Sequence, residues 1–515
     1  MGIFIKMFVL ISQIATMHFT YHALRIDTVK GLEMLGDELR ALAEEICRLK
    51  CEQQTVEVKA ARGGCPKRLY DTLSAFSNQN AGGVIVFGID EEAGFEPCGV
   101  YDAQDLQRKV TEQCNQMNPP VRAVFTVAEF AGVTVCSAEI PALEHTERPC
   151  YYAGAGEVRG SFIRVGDADL PMSDYEIYSY KAFRTHQHDD ERTVERASMS
   201  LMNEAALNAY VAEQKVNRPG FSLMDADQVN EMLAITRKGE FTLAAVLSFG
   251  IYPQGFFPQL AITAVAVPGL EIGDTDEENN RFLDNKRIEG DLVAMAEGAI
   301  GFCKRNMKVR TAINPDTGTR ADATEYPLTA LREVIVNALI HRDYSPYTEG
   351  TPIQLLFFAD RVEIHSPGGL YGRMTVEDLG ISKPDLRNPA LATMCEHRLG
   401  TENRYSGIPT IRREMARAGL PAPKFENRRN EFVVTLYNGE GVAAAEHVAG
   451  QRSTVDLLSF CAVPRTRQEI ADYLGLTSVS YAMRTYIAPL LEQRLLAMTI
   501  PDKPQSRLQR FVRAV

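Results

Sequence analysis

The stretch Leu331-Arg-Glu-Val-Ile-Val-Asn-Ala-Leu-Ile-His-Arg-Asp-Tyr344 combines apolar residues with one regularly spaced polar series. Glu333, Asn337 and His341 recur at every fourth position, so they share one face of a helix that we predict from Leu328 to about His341. A carboxylate, an amide and an imidazole are poor core residues, because buried polar groups need partners. They suit a nucleotide site, where the amide oxygen can hold Mg²⁺ and the carboxylate can orient a water. The spacing alone leaves a solvated helix face equally open.

Two segments further along the chain can approach a ligand closely. Ser366-Pro-Gly-Gly-Leu370 follows a predicted hairpin of two strands, Ile353–Phe358 and Arg361–His365, and glycines at a strand end let the backbone approach a ligand. Tyr405-Ser-Gly-Ile-Pro409 precedes an amphipathic helix from Thr410 to Ala418, and such a helix N-terminus can bind phosphate. Each segment taken alone is also typical of an ordinary turn.

The order of these three features resembles the ATP-binding domain shared by gyrase, mismatch-repair proteins and histidine kinases. The variant that it resembles most is found at the C-terminal side of bacterial proteins called RecG-like. The matching segments are Leu331–Tyr344, Arg361-Val-Glu-Ile-His-Ser-Pro-Gly-Gly-Leu370, Arg387-Asn-Pro-Ala-Leu391 and Ser406-Gly-Ile408. The resemblance implies ATP and Mg²⁺ as cofactors, with Glu333 as catalytic base and Asn337 as metal ligand. It implies a nucleotide-binding set that comprises Asn337, His341, Arg342, Asp343, Ser366, Gly368, Gly369, Ser406, Gly407 and Ile408.

Two positions depart from the pattern of this ATPase superfamily. The superfamily places an aspartate before its first glycine pair to hold the adenine amino group, and Ser366 occupies that place here. Tyr405 stands where the first glycine of the phosphate loop is expected. We therefore expect weak nucleotide binding, and weak ATPase activity stays an open alternative. A helicase motor is excluded, because its phosphate loop needs a Gly-Lys pair and glycine is never followed by lysine in this chain.

Upstream, Thr55-Val-Glu-Val-Lys59, Phe76-Ser-Asn78 and Gly82-Gly-Val-Ile-Val-Phe-Gly-Ile-Asp90 resemble the Schlafen-type AlbA domain. The resemblance implies a nucleic-acid-binding module, with Glu57 and Lys59 as candidate contacts. Some relatives cut RNA with clustered acids, so an RNA-cleaving enzyme is an alternative, although only Glu57 can be assigned to such a cluster. The simpler interpretation is that Glu57 and Lys59 form the solvent-facing side of an edge strand.

The segment from Ser453 to Val515 carries eight Lys/Arg against five Asp/Glu, a local charge of +3 on a chain of net charge -12. A helix over Arg467–Leu474, a turn at Gly475-Leu-Thr477 and a second helix to about Leu491 predict a winged helix. Its second helix would present Ser480, Tyr481 and Arg484 to DNA bases, and its wing would place Lys503, Arg507 and Arg510 near phosphates. Pro489 should kink or end that helix. A protein-binding winged helix is the alternative.

The composition limits the remaining classes of function. Hydrophobic residues make up 45% and charged residues 24% of the 515 residues, as in soluble globular proteins. Ten cysteines without a CxxC pair indicate reduced thiols and a cytoplasmic protein. The apolar stretch from Met1 to about Ile26 is too short and too mixed for a membrane span, so we expect no membrane contact. His186, His188, Asp189 and Asp190 are most simply a solvated linker, because a structural metal site needs four convergent ligands.

The sequence thus predicts an α/β multidomain protein. Its expected parts are an extension (1–30), an AlbA-like α/β module (31–185), a connecting region (186–325), an ATPase-type α/β sandwich (326–438), a linker (439–452) and a C-terminal winged helix (453–515). The predicted function is an ATP-binding, DNA-binding transcriptional regulator that contacts DNA through its last domain. The alternatives are a Schlafen-like RNA-cleaving enzyme and a scaffold that binds no nucleotide. A monomer and a homo-oligomer are both compatible with the sequence.

Overall fold

A computed structural model describes residues 34–313, 320–400, 406–439, 457–458, 460–474, 483–492, 495–499 and 509–514. The chain divides between Gln187 and His188 into two compact units, here called unit 1 and unit 2. The mixed α/β class predicted from the sequence is confirmed. The extension predicted for residues 1–30 lies outside the described residues, as does the linker from residue 440 onward.

Unit 1 is a small α/β module. Its described helices are α1 (Gly36–Leu49), α2 (Tyr70–Asn78), α3 (Ala103–Cys114), α4 (Glu157–Gly160) and α5 (Asp174–Arg184). Its strands are β1 (Val56–Lys59), β2 (Gly83–Phe87), β3 (Ile89–Asp90), β4 (Glu96–Pro97), β5 (Met117–Asn118), β6 (Val124–Phe130), β7 (Val133–Ile140), β8 (Tyr151–Tyr152), β9 (Phe162–Val165) and β10 (Ala168–Pro171). The main sheet has the order β1-β2-β7-β6, in which only β1 and β2 run parallel.

Both faces of this sheet are covered. Val84 and Val86 of β2 pack with α1 in one hydrophobic cluster, whereas Ile85 and Phe87 pack with α2 and α3 in another. Successive strand residues point to opposite faces, so β2 is buried throughout and reads as a continuous apolar run. The neighbouring strand β1 therefore has no solvent-facing side of the kind that its alternating sequence predicts.

Unit 2 contains the remaining elements. Its described helices are α6 (Glu204–Asn217), α7 (Ala226–Met232), α8 (Leu243–Phe249), α9 (Leu292–Asn306), α10 (Leu328–His341), α11 (Pro389–Leu399), α12 (Gly407–Arg417), α13 (Arg467–Leu474) and α14 (Ala488–Glu492). Its strands are β11 (Thr236–Arg237), β12 (Glu240–Phe241), β13 (Ile262–Ala266), β14 (Asp284–Ile288), β15 (Val309–Ile313), β16 (Arg320–Thr324), β17 (Ile353–Phe357), β18 (Arg361–Pro367), β19 (Lys424–Asn427), β20 (Glu431–Tyr437), β21 (Leu496–Met498) and β22 (Phe511–Arg513).

A six-stranded sheet forms the centre of unit 2, with the order β14-β13-β17-β18-β20-β19. The predicted hairpin is present as the antiparallel pair β17–β18. The boundary predicted between residues 325 and 326 cuts through this sheet, because β13 from the connecting region pairs in parallel with β17. Alternate residues of these strands join α9, α10, α11 and α12 in one hydrophobic core. The connecting region is thus part of the layer that supports α10.

The last described elements form a small separate hydrophobic cluster that includes Leu457, Ile470, Leu490 and Phe511. A π-helical turn over Met483–Ile487 runs directly into α14, so the regular α-helix begins one residue before Pro489. Strands β21 and β22 pair antiparallel, as expected of a wing. Within the described ranges, no helix is both long and apolar enough to cross a membrane.

Candidate functional site

Helix α10 has a buried face and a polar stripe, which is formed by Glu333, Asn337 and His341. Its buried residues are Ala330, Leu331, Val334, Ile335, Val336, Ala338, Leu339 and Ile340. Glu333, Asn337 and His341 are not buried and line a cavity of about 410 Å³. The side chains of Glu333 and Asn337 make no hydrogen bond to any residue that the structure describes. The stripe therefore offers polar groups to whatever fills the cavity.

The two glycine-containing segments line the same cavity. The lining residues from these segments are Ser366, Gly368, Gly369, Ser406, Gly407 and Ile408. The structure thus brings together eight of the ten candidate nucleotide contacts and the candidate base Glu333. Arg342 and Asp343 are not among the lining residues. Arg342 is buried and donates to the carbonyl oxygens of Thr348 and Thr351, and Asp343 accepts from the backbone N–H of Ser345, so both hold the chain after α10.

Gly407, at the start of α12, lies directly against the polar stripe. A methyl group at this position would lie 3.0 Å from Asn337 Nδ2 and 3.1 Å from Glu333 Oε2. Only glycine allows this approach without displacing the two side chains. The N-terminal end of α12 therefore meets a carboxylate and an amide, and free N–H groups at a helix N-terminus are suited to phosphate.

The protein environment shifts the acid–base properties of the stripe. Desolvation raises the pKa of the Glu333 carboxyl above its ordinary value, and the charge of Arg332 opposes this shift. Desolvation, followed by the positive charge of Arg387, lowers the pKa of His341 to about 4. The imidazole is therefore neutral at neutral pH and has one donor and one acceptor nitrogen. Glu333 is the group of the stripe that is better placed to accept a proton.

The Pro-Gly-Gly segment is held by its neighbours rather than by a carboxylate. Ser366 is buried, and its hydroxyl donates to the carbonyl oxygen of Ala338, 3.3 Å away. Gly368 has a φ of 89°, a conformation that favours glycine. A methyl group on Gly369 would lie 2.6 Å from Asn427 Oδ1, which accepts the N–H of Leu370. The loop thus follows a tight path that a side chain at Gly369 would block.

Arg387 is one of the cavity residues that sequence reasoning did not assign to the site. It is 7% exposed, donates through Nη2 to the carbonyl oxygen of Gly369 at 2.9 Å, and lies over the ring of Tyr371. Asn388 fixes this position by donating to the carbonyl oxygens of Ile340 and Arg342, both at 2.8 Å. The family resemblance includes Arg387, but an arginine before a helix does not by itself indicate a ligand contact.

The candidate metal ligand Asn337 fits a Mg²⁺ ion that is held mainly by a nucleotide. Among the described residues, no group of three or more His, Cys, Asp or Glu is arranged to hold a metal. Mg²⁺ commonly uses one or two protein oxygens together with phosphates and waters. Asn337 Oδ1, near Gly407, is a donor of that kind, and Glu333 beside it is placed to act on a water. When bound, the ion would neutralise phosphate charge.

In unit 1, the candidate Glu57 is not at the surface. It is 6% exposed and forms ion pairs with Lys59 and Arg164, the latter with an Nη1–Oε2 distance of 2.7 Å. Arg164 also pairs with Glu52 at 3.3 Å and Asp169 at 3.0 Å. The interpretation of Glu57 as the solvent-facing side of a strand is therefore wrong, because Arg164 of β9 lies against its carboxylate. Desolvation is the main cause that raises the pKa of Glu52 to about 7.

Of the candidate DNA contacts in the C-terminal segment, the structure describes the side chain of Arg510 alone. Its backbone N–H donates to Thr499 Oγ1 at 3.1 Å, next to the β21–β22 pair. Ser480, Tyr481, Lys503 and Arg507 lie outside the described residues, as does the side chain of Arg484.

The segment around residue 188 differs from the predicted solvated linker, because Asp190 is fully buried and accepts the N–H of Leu391 at 2.9 Å.

Comparisons with known proteins place these modules in families. Residues 52–173 match the family described as Schlafen, AlbA_2, and residues 350–436 match the family described as putative ATP-dependent DNA helicase recG C-terminal. The resemblance recognised from the sequence is confirmed, because both of the suspected families match the chain, in the expected order. Residues 455–512 match the C-terminal domain of Fic-like proteins, described as filamentation induced by cAMP.

Two solved structures are also similar to the chain. The crystal structure of the DIP2311 protein from Corynebacterium diphtheriae has 18% identity and a TM-score of 0.37, over 88% of this chain and 93% of that chain. The solution structure of the N-terminal domain of a putative ATP-dependent DNA helicase RecG-related protein from Nitrosomonas europaea has 24% identity and a TM-score of 0.22, over 26% of this chain and 93% of that chain. The comparison with curated proteins found no match.

Proposed function

We propose that unit 2 binds ATP with Mg²⁺ in the cavity beside α10, and that the chain is a DNA-binding transcriptional regulator. The observation that carries the nucleotide proposal is the contact of Gly407 with Glu333 and Asn337. It joins a helix N-terminus, an amide oxygen and a carboxylate that have no other hydrogen-bond partner among the described residues. These are the groups that phosphate, Mg²⁺ and an attacking water require.

Calorimetry of Mg²⁺-dependent ATP binding tests this proposal. Asn337→Ala removes the metal ligand and should weaken ATP binding at least tenfold, which corresponds to about 1.4 kcal/mol. Asn285→Ala is a matched control, because Asn285 is exposed on β14 and does not line the cavity. Glu333→Ala should leave binding intact and abolish any hydrolysis. Equal ATP binding by wild type and Asn337→Ala, or no binding by either, would refute the nucleotide proposal.

We further propose that DNA binds through residues 453–515. The support is electrostatic: this segment carries +3, from eight Lys/Arg and five Asp/Glu, so the rest of the chain carries -15 and should repel a duplex. Arg484→Ala should cost about 1–3 kcal/mol on a specific site, whereas Lys503→Ala should weaken all sequences alike. Fragments selected from genomic DNA supply the site. If protein truncated at Gly450 retains the same fragments with equal affinity, this segment does not bind DNA.

An RNA-cleaving function is less well supported. Glu52, Glu57 and Asp169 do converge, which a nuclease needs, but Arg164 lies among them and neutralises part of their charge. The arrangement favours a structural ion cluster. This preference would be reversed if the purified protein cleaved RNA and Glu57→Gln abolished the cleavage.

We also infer a cytoplasmic location, supported by ten cysteines that are all unpaired.

A further inference from the structure

The first residues of unit 2 are attached to the start of α11. This entry segment, His188–Arg192, follows directly after the division between the two units. The ring atom Nδ1 of His188 lies 3.1 Å from the carbonyl oxygen of Arg387. Two residues later, Asp190 Oδ2 accepts the N–H of Leu391 at 2.9 Å. The partners in these two contacts are 199 and 201 positions apart, so the attachment is a tertiary contact and not a product of local chain geometry.

Asp190 supplies the N-terminal cap of α11 from a distant part of the chain. The residue before α11, Asn388, makes no side-chain hydrogen bond to the helix, and its amide donates instead to the carbonyl oxygens of Ile340 and Arg342. A helix N-terminus leaves backbone N–H groups unpaired, and a carboxylate often accepts one of them. Leu391, the third residue of α11, finds that acceptor in Asp190, and both residues are fully buried. Without Asp190, the Leu391 N–H would be buried and unpaired, which is unfavourable.

The stretch that the entry segment holds is also a wall of the cavity beside α10. Leu386, Arg387 and Ala392 line the cavity, and they flank Leu391, which Asp190 caps. A ligand that fills the cavity would therefore contact the same short stretch as the entry segment does. If the entry segment detaches, α11 loses its cap and this wall loses its fixed position. A ligand that binds the fixed wall opposes that detachment, because a ligand stabilises the conformation that binds it more tightly.

We propose that Asp190 is a positioning residue for the nucleotide site, so that nucleotide in the cavity and attachment of the entry segment stabilise each other. The inference rests on the nucleotide function proposed above. It does not require Asp190 to touch the nucleotide, because the effect passes through the N-terminus of α11. Coupling of this kind is reciprocal: the factor by which attachment tightens nucleotide binding equals the factor by which nucleotide favours attachment. Both factors can be measured.

Hydrogen exchange of the full-length protein, with and without saturating Mg²⁺-ATP, measures how nucleotide affects attachment. The amides of Glu191 and Arg192 report on the entry segment, because each donates to a carbonyl oxygen three residues earlier in it. Neither residue is among the described residues that line the cavity, so slower exchange would not come from direct contact with nucleotide. We expect ATP to slow their exchange about fivefold, at the lower end of typical coupling between sites. The amides of β14 are the control and should not change, since this strand belongs to the same unit but does not line the cavity.

Three variants measure the reverse effect by calorimetry. Asp190→Ala removes the acceptor of the Leu391 N–H and should weaken ATP binding by the same factor, about fivefold. Asp190→Asn retains an amide oxygen that can accept this N–H, so it should bind ATP as wild type does. Asp225→Ala is the matched control: Asp225 caps α7 by accepting the N–H of Gln228 at 2.8 Å, and α7 does not line the cavity. This control should also bind ATP as wild type does.

The outcomes separate this inference from the function on which it rests. If ATP binds but does not slow exchange in the entry segment, or slows it no more than in β14, the coupling is refuted and the nucleotide site stands. The same conclusion follows if Asp190→Ala binds ATP as tightly as wild type. If ATP does not bind, both proposals fail. The exchange experiment uses wild-type protein only, so it decides the question even if Asp190→Ala does not fold.

Discussion

Replacing Gly407 by alanine would place a methyl group between α12 and the polar stripe of α10. The methyl carbon would lie 3.0 Å from Asn337 Nδ2 and 3.1 Å from Glu333 Oε2. These separations are shorter than ordinary van der Waals contact, so both side-chain ends must move by a few tenths of an ångström. Both are ends of flexible side chains, so the fold can accommodate the change. The proposed contacts with phosphate and metal depend on the positions of these two side-chain ends, so the change should disrupt them.

The free energy of unfolding should therefore change little, whereas nucleotide binding should weaken. Gly407 is the first residue of α12, so only part of the roughly 1 kcal/mol by which a helix interior favours alanine over glycine applies, and the two flexible side-chain ends can absorb the close contact. The free energy of unfolding should thus stay within about 1 kcal/mol of wild type. Displacing the amide of Asn337 should weaken nucleotide binding about tenfold, or about 1.4 kcal/mol.

Urea unfolding and calorimetry with Mg²⁺-nucleotide measure the two effects on the same protein. Gly301→Ala in α9 is the matched control, since a methyl group there would meet only Arg305, at 3.9 Å. It should gain helix stability and bind nucleotide as wild type does. If Gly407→Ala also binds nucleotide as wild type does, the close approach of α12 to the stripe has no part in binding, and the argument from geometry is wrong.

Three further predictions concern stability, each measured by urea unfolding. In unit 1, the methyl group of Gly83→Ala would overlap the ring of Phe76, so this variant should lose about 1–3 kcal/mol of unfolding free energy. Gly63→Ala is the control and should lose little, because there is open space around Gly63. Equal losses in the two variants would refute the overlap argument. Arg164→Met removes the buried cation that pairs with three buried or half-buried carboxylates, of which only Glu57 keeps a second one, and should cost about 3–5 kcal/mol; an unchanged midpoint would contradict the proposed role of the ion cluster. Burial raises the pKa of Asp190 from 3.8 to about 7. Between these pH values the folded state keeps a proton that the unfolded state has lost. The free energy of unfolding should therefore fall as the pH rises, by at most about 1.4 kcal/mol per pH unit. Asp190→Asn should remove that slope; a slope that persists would assign it to other groups.

The sequence predicted the parts of the site that depend on local periodicity. Helix α10 spans Leu328–His341 as expected, and its polar residues at every fourth position do share one unburied stripe. The hairpin β17–β18 was also predictable, because its two apolar strands are adjacent in sequence. Such features require only that neighbouring residues follow one regular backbone geometry.

The features that sequence could not predict are pairings between distant segments. The parallel pairing of β13 with β17 joins residues that are about ninety positions apart, and nothing local in Ile262–Ala266 specifies that partner. In the same way, the alternation of β1 suggested one solvated face, but elements that follow much later cover Glu57. The position of Arg387 in the cavity depends on its neighbour Asn388, which donates to carbonyl groups at the C-terminal end of α10.

Hydrogen-bond satisfaction separates structural polar residues from those available to a ligand at this site. Arg342 has three carbonyl partners, from Asp343, Thr348 and Thr351, so its burial is already compensated within the chain. Glu333 and Asn337 have none among the described residues, and both are partly exposed in the cavity. Both kinds of residue come from one continuous motif, so resemblance alone assigns them the same role. Polar residues that line the cavity and lack a partner among the described residues are therefore the ones that a ligand can contact.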